Sequence, residues 1–206
     1  MEKKELLDSL KEKNFPQKIL DAFSKVKREN FIPRNVKTMA YEDTALPIGH
    51  GQTVSQPHTI AIMLSLLDLK KGQKVLEIGS GCGYVLALLS EIVEKEGRVF
   101  GIEVVKELAK KSKENLADYY ENVKIYNKNG AEGLEEKALF DRILISAAIR
   151  DIPEKVMGQL KNNGILVAPK GSRFEQEIIA IQRKSKTEFE IKKKIPGFIF
   201  VPFVEY

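Results

Sequence analysis

Val75-Leu76-Glu77-Ile78-Gly79-Ser80-Gly81-Cys82-Gly83-Tyr84 sets a short apolar run against three glycines at alternate positions, with a longer apolar run behind them. Val75–Ile78 reads as a strand and Tyr84–Val93 as a helix, so the glycines fall in a strand-to-helix turn. Glycine there lets the backbone turn tightly and come close to a ligand, with the helix N-terminus facing it. The dinucleotide fingerprint G-x-G-x-x-G requires a third glycine where this chain has Tyr84. The pattern here is G-x-G-x-G, with the acid Glu77 just before it.

Downstream, strands and helices alternate. Val99–Ile102, Val123–Tyr126, Arg142–Ser146 and Ile165–Ala168 read as strands and Val105–Leu116 as a helix. That alternation argues for an α/β, doubly wound, mostly parallel sheet. Ile178–Gln182, Phe189–Ile191 and Phe198–Phe203 follow without intervening helices and predict an antiparallel edge. Upstream, Pro57–Leu67 reads as a buried helix, and Ile19, Leu20, Phe23 and Val26 give an earlier one with Pro16 in its first turn. The stretch from Asn30 to Gly51 reads as a long connection punctuated by Pro47, Gly49 and Gly51.

Glu103 lies at the end of the second of these strands, twenty residues beyond Gly83. A carboxylate there can accept hydrogen bonds from both hydroxyls of a ribose. Asn129-Gly130 follows the third, where an amide oxygen can accept from an adenine amino group, without the charge assistance an aspartate would give. Glu77, Gly79, Ser80, Gly81, Gly83, Glu103, Asn129 and Gly130 together resemble the cofactor site of class I S-adenosylmethionine-dependent methyltransferases, which have a Rossmann-like fold. The resemblance implies S-adenosyl-L-methionine as cofactor and S-adenosyl-L-homocysteine as product. On the plainer reading the glycines form only a tight turn and Glu103 is a surface acid. Cys82, inside the loop, reads as a small packing residue.

With 206 residues the chain is long enough for one well-buried α/β domain. We read 1–206 as a single domain: 1–70 as N-terminal helices and a covering segment, 71–170 as the cofactor-binding core, 171–206 as closing strands. The net charge of +5 comes mostly from scattered lysines, and Lys192-Lys193-Lys194 reads as a solvated face, not a nucleic-acid site. A mild positive field helps attract acidic substrates. No apolar run reaches the length of a membrane span, and the first residues lack the apolar core of a secretory leader. One cysteine rules out an internal disulfide, and His50 and His58 alone cannot build a zinc site. A metal-free, cytoplasmic monomer is expected.

The acceptor needs its own argument, because this fold hosts many chemistries. Amine methylation of DNA bases or glutamine uses an Asn/Asp-Pro-Pro-aromatic motif after the fourth strand, where this chain has Ser146-Ala147-Ala148-Ile149. Methylation at cytosine carbon-5 needs a cysteine nucleophile, and Cys82 sits in the cofactor loop. Leu46-Pro47-Ile48-Gly49-His50-Gly51-Gln52-Thr53-Val54-Ser55-Gln56-Pro57 resembles the hallmark segment of protein-L-isoaspartate O-methyltransferases. Phe140-Asp141-Arg142-Ile143, Ile152-Pro153, Gly164-Ile165-Leu166-Val167 and the terminal Gly197–Phe203 agree with that family too.

The resemblance implies methyl transfer to the α-carboxylate of L-isoaspartyl residues in damaged proteins and peptides, a repair reaction. It implies that Ser55 is the active-site residue and that Thr53, Val54, Phe203 and Val204 help bind substrate. It adds Gln52, Thr53 and His58 to the cofactor contacts. A carboxylate is already ionised at pH 7, so no strong general base is needed. Holding carboxylate oxygen, methyl carbon and sulfonium in line can supply roughly 7–11 kcal/mol of barrier reduction. Apart from the resemblance, Ser55 could instead cap the next helix, worth about 1 kcal/mol. Asn129 replaces the family's usual acid, Arg150 stands where proline is common, and Val204 where some members have threonine. Two rival readings are a class I methyltransferase acting on tRNA or a small molecule, and a degenerate S-adenosylmethionine-binding module.

Overall fold

The computed structural model describes residues 1–117 and 120–204. The chain opens with α1 (Lys3–Glu12) and α2 (Gln17–Lys25), followed by β1 (Leu46–Gly49), β2 (Gln52–Val54) and α3 (Pro57–Leu67). Strand and helix then alternate through β3 (Lys74–Ile78), α4 (Tyr84–Val93), β4 (Arg98–Glu103), α5 (Lys106–Leu116) and β5 (Val123–Asn127). Next come β6 (Phe140–Ile145), α6 (Glu154–Gly158), β7 (Leu160–Gly171), β8 (Gln176–Arg183) and β9 (Phe189–Phe198). The main sheet has the order β5-β4-β3-β6-β7-β8-β9. It is parallel from β5 to β7, and β8 and β9 add an antiparallel edge.

The expected doubly wound α/β architecture is present. From β3 the chain builds outward through β4 and β5, then returns to place β6 on the other side of β3. That reversal opens a crevice at the carboxyl ends of β3 and β6, the usual ligand position in such sheets. Side chains alternate across the sheet, so Val75 joins the core under the large helices, while Leu76 and Ile78 join the core on the opposite face. Glu77 therefore faces the same side as Val75, toward α3 and α4.

Helix α3 is anchored at both ends by distant residues. The His58 N–H donates to Asp43 Oδ1 at 2.8 Å. The Arg142 guanidinium donates to the carbonyls of Leu67 and Asp68 at the other end. Such bonds satisfy orphan groups at the termini, and a cation at the C-terminal end also suits the helix dipole.

Two sequence expectations are corrected. Residues 46–51, read as part of a long connection, form with 52–54 the β1–β2 hairpin, with Leu46 opposite Val54. Its tip is His50-Gly51, at φ +54° and +70°, the left-handed pair that a two-residue turn requires to match strand twist. Phe198–Phe203, expected as a strand, is not one. The last strand is β9, which carries Lys192–Lys194 along the sheet's edge, where lysines discourage pairing with another chain. The ladder ends at Phe198, one residue after Gly197 at φ +91°, where the β8–β9 register is already shifted. Residues beyond it cross the top of the sheet as a strap: Ala148 N–H donates to Val201 O and Phe203 N–H to Ala148 O, both at 2.8 Å. Among the described residues no helix is long and apolar enough to cross a membrane.

Candidate active site

The glycine loop hangs from β4. Gly79 and Ser80 N–H groups both donate to the Ile102 carbonyl, at 2.8 and 3.0 Å. Gly79 and Gly81 have φ of +82° and +50°, conformations that side chains disfavour. Gly83 serves another purpose. A Cβ there would lie 2.4 Å from Ser112 Oγ and 2.8 Å from Leu116 Cδ1, so its bare backbone lets α4 pack onto α5. Gly83 does not line the crevice.

Glu103 is buried beside this loop. Its Oε2 accepts from Gly81 N–H at 2.7 Å and its Oε1 from Val105 N–H at 2.9 Å. Each oxygen keeps a second lone pair, so the fixed carboxylate can still accept from two hydroxyls. Beyond it, a Cβ on Gly130 would lie 2.4 Å from Ile78 Cγ2 and 3.0 Å from Phe203 Cζ. Glycine is what leaves the slot between those side chains open. Asn129 Oδ1 accepts from Ala131 N–H at 2.9 Å, so its oxygen braces the turn after β5, and Asn129 is not among the lining residues. Gln52, Thr53, Gly79, Gly81, Glu103, Gly130, Phe203 and Val204 all border one cleft of about 560 Å³, part of it open to solvent. Its lining of apolar side chains with a few polar groups is that of a small-molecule site. A groove of about 1600 Å³ between α4 and β5 is larger and contains none of these residues.

A second cavity adjoins the first and shares Ile48, Thr53, Gly79, Gly81 and Ser146 with it. Val54, Ser55, Glu77 and Ser80 complete its wall. Ser55 does not cap α3: the N-cap is Gln56, and no side chain of the cap residue bonds the helix. Glu77 is 1% exposed, with Oε1 accepting from Ser146 Oγ at 2.7 Å. Burial, reinforced by the Glu103 charge and opposed by the Ser146 bond, pushes its carboxyl up to about 8. Glu77 is therefore mostly neutral at pH 7 and can donate as well as accept. Glu77 Oε2 and Ser80 Oγ are both buried with no partner among the described residues. Unpaired buried polar atoms at a cavity are the mark of a place for a polar ligand or water. Burial also pushes the Cys82 thiol up to about 11, which leaves it a neutral packing residue.

His58 lies apart. Its ring packs edge-on against Phe15 at 5.6 Å, and it lines neither cavity. Sequence reasoning also missed two participants. Ser146, at the end of β6, is the hydroxyl that holds Glu77; its position after a strand was the available signal. Arg28, in a tight turn after α2, is fully buried and donates to the Ser55 carbonyl at 3.0 Å. A basic residue at a helix end reads as exposed, and nothing local in the sequence says otherwise.

A doubly wound sheet with a ligand cleft at its switch point, a G-x-G-x-G loop and an acid ending the next strand is the arrangement of a class I S-adenosylmethionine-dependent methyltransferase. The family model for protein-L-isoaspartate(D-aspartate) O-methyltransferase matches residues 1–206, and the chain belongs to that family. A protein-L-isoaspartate O-methyltransferase of Methanothrix thermoacetophila is 41% identical over 206 residues, covering 99% of this chain and 95% of the relative. One from Archaeoglobus fulgidus is 44% identical over 193 residues, covering 93% and 87%. Among solved structures, a Plasmodium falciparum protein described as a protein-L-isoaspartate O-methyltransferase, in complex with S-adenosyl-L-homocysteine, superposes with a TM-score of 0.82 at 29% identity, covering 98% of each chain. Another protein-L-isoaspartate O-methyltransferase gives a TM-score of 0.90 at 27% identity; it is longer, and 97% of this chain spans 65% of its length.

Proposed function

We propose that the protein transfers a methyl group from S-adenosylmethionine to the α-carboxylate of L-isoaspartyl residues in damaged proteins and peptides. One observation carries this reading beyond family membership: the two cavities share a wall at Thr53, Gly79 and Gly81. A donor site and an acceptor site that meet along one wall suit a single in-line transfer.

The residues present fit the cofactor. Gly79 and Gly81 would bring bare backbone to its amino-acid tail, Glu103 would accept from its ribose hydroxyls, and the slot that Gly130 leaves open between Ile78 and Phe203 would take its adenine. Gln52 and Thr53 close the cleft from the hairpin side. S-adenosylmethionine, when bound, supplies an electrophilic methyl group and leaves as S-adenosylhomocysteine. Ser55 hydrogen-bonds the acceptor carboxylate and holds it on the sulfonium axis, while Thr53, Val54, Phe203 and Val204 shape the surroundings. The acceptor is an anion at pH 7, so attack requires alignment and no base. The product ester then closes to a succinimide with loss of methanol, and hydrolysis returns part of it as normal aspartate. In this reading the protein acts as a cytoplasmic monomer without nucleic acid; the lysines of β9 disfavour pairing of that edge with a second chain.

The test uses labelled S-adenosylmethionine and paired peptides that differ only in an aspartyl or isoaspartyl linkage. Base-labile label on the isoaspartyl peptide alone is expected. Label on neither peptide, or on both equally, would refute the assignment.

A further inference from the structure

Arg28 has no carboxylate within salt-bridge distance among the described residues, yet it is 0% exposed. Its guanidinium is held by carbonyls instead. Nη1 donates to Ala40 O at 3.0 Å and Glu42 O at 3.3 Å, and Nη2 to Thr44 O at 3.1 Å and Ser55 O at 3.0 Å. Nε has no partner. The carbon of the guanidinium lies 5.9 Å from the centroid of the Tyr84 ring, and Tyr84 is the first residue of α4, directly after the glycine loop.

The position of these carbonyls matters more than their number. Three lie in the segment that leads into β1, and the fourth directly follows β2. Leu46 and Val54 are paired at the open end of the hairpin, so Thr44 and Ser55 are its two feet. One nitrogen, Nη2, bridges both feet. Arg28 thus closes the open end of the hairpin at the residue proposed to hold the acceptor, and its ring contact ties that end to the helix behind the glycine loop. Burying a cation is costly unless its hydrogen bonds are satisfied. A site whose only need was packing would be served more cheaply by an apolar side chain. Lysine carries the charge but not the planar fork that reaches carbonyls on two sides.

We propose that Arg28 is a positioning residue for the methyl acceptor, fixing the backbone of Ser55 and so the aim of its hydroxyl relative to the glycine loop. The inference rests on the methyltransferase reading above. It weights acceptor over donor: Glu103, Gly79 and Gly130 take no bond from Arg28, and Gln52 and Thr53, the hairpin residues on the cofactor cleft, lie beyond the feet that it bonds, so the larger effect is expected on the acceptor.

The experiment compares wild type with Arg28→Lys and Arg28→Ala, measuring kcat/KM on an isoaspartyl peptide, Kd for S-adenosylhomocysteine by calorimetry, and Tm. For Arg28→Lys, kcat/KM is expected to fall roughly ten- to hundred-fold with Kd changed by less than about two-fold. For Arg28→Ala, added guanidinium below denaturing concentration is expected to restore part of the activity, and sodium chloride at equal ionic strength is not. Wild-type kcat/KM in Arg28→Lys overturns the proposal. So does parallel loss of peptide turnover and S-adenosylhomocysteine binding that follows the fall in Tm, the pattern of a purely structural residue. If wild type itself leaves isoaspartyl peptides unmethylated, the functional reading fails and this inference with it. Failure on an active wild type removes only the inference.

Discussion

The two walls of the site are held by different means. The wall of Gly79, Gly81 and Glu103 is fixed by main-chain bonds to Ile102 and Val105 within a parallel sheet. The facing wall, Gln52–Ser55, belongs to a two-stranded hairpin whose feet are tied by one guanidinium from outside the hairpin. The first wall is rigid because the sheet is rigid. Only the Val54–Ser55 end of the second wall borders the acceptor cavity alone, so a change at that end is expected to fall mainly on the acceptor.

The sharpest way to break this comparison is at Ser55. Ser55→Ala is expected to lower turnover of isoaspartyl peptide by about a hundred-fold or more, the scale of losing one hydrogen-bond donor at the reacting centre. Because Gln56 and not Ser55 is the N-cap of α3, thermal unfolding should show Tm unchanged. Normal turnover with a fall in Tm would return Ser55 to a capping role.

A smaller effect sharpens the comparison at the boundary between the walls. Glu77 is raised to about 8 in the folded protein and lies near 4.5 when unfolded. The folded state therefore holds a proton that the unfolded state has lost between those values. The stability linked to this proton is full below about pH 4.5 and declines as pH rises toward 8, at up to about 1.4 kcal/mol per pH unit. Glu77→Gln removes the titration and keeps a neutral group that can bond Ser146. Urea unfolding from pH 5 to 8 should show the variant gaining stability relative to wild type as pH rises. A constant difference across that range would mean Glu77 is ionised in the folded protein.

The same contrast governs what could be read from the sequence. The donor wall was legible because its signals are local: a short apolar run, glycines at fixed spacing, and an acid at the end of the next strand. Even so, the spacing did not show that Gly83 lets α4 pack onto α5 or that the Asn129 oxygen accepts from Ala131 N–H, since a spacing cannot say which way a group points. The acceptor wall was legible only through family resemblance. Its strands are three and four residues long, too short for alternation to register, and Pro47 made them look like loop. Arg28 could not be read at all, because its acceptors lie 12 to 27 residues away and only folding brings them together. At the C-terminus the apolar run Phe198–Phe203 suggested a strand, but beyond Phe198 the chain leaves β8 and bonds Ala148 instead, as a strap over the cleft.

The most direct test of separate donor and acceptor walls is calorimetry with S-adenosylhomocysteine on wild type, Ser55→Ala and Glu103→Gln. Glu103→Gln should weaken binding about ten-fold or more, the value of hydrogen bonds to a charged group, while Ser55→Ala should leave Kd within about two-fold of wild type. Equal weakening by both substitutions, or none from Glu103→Gln, would contradict the division on which this account depends.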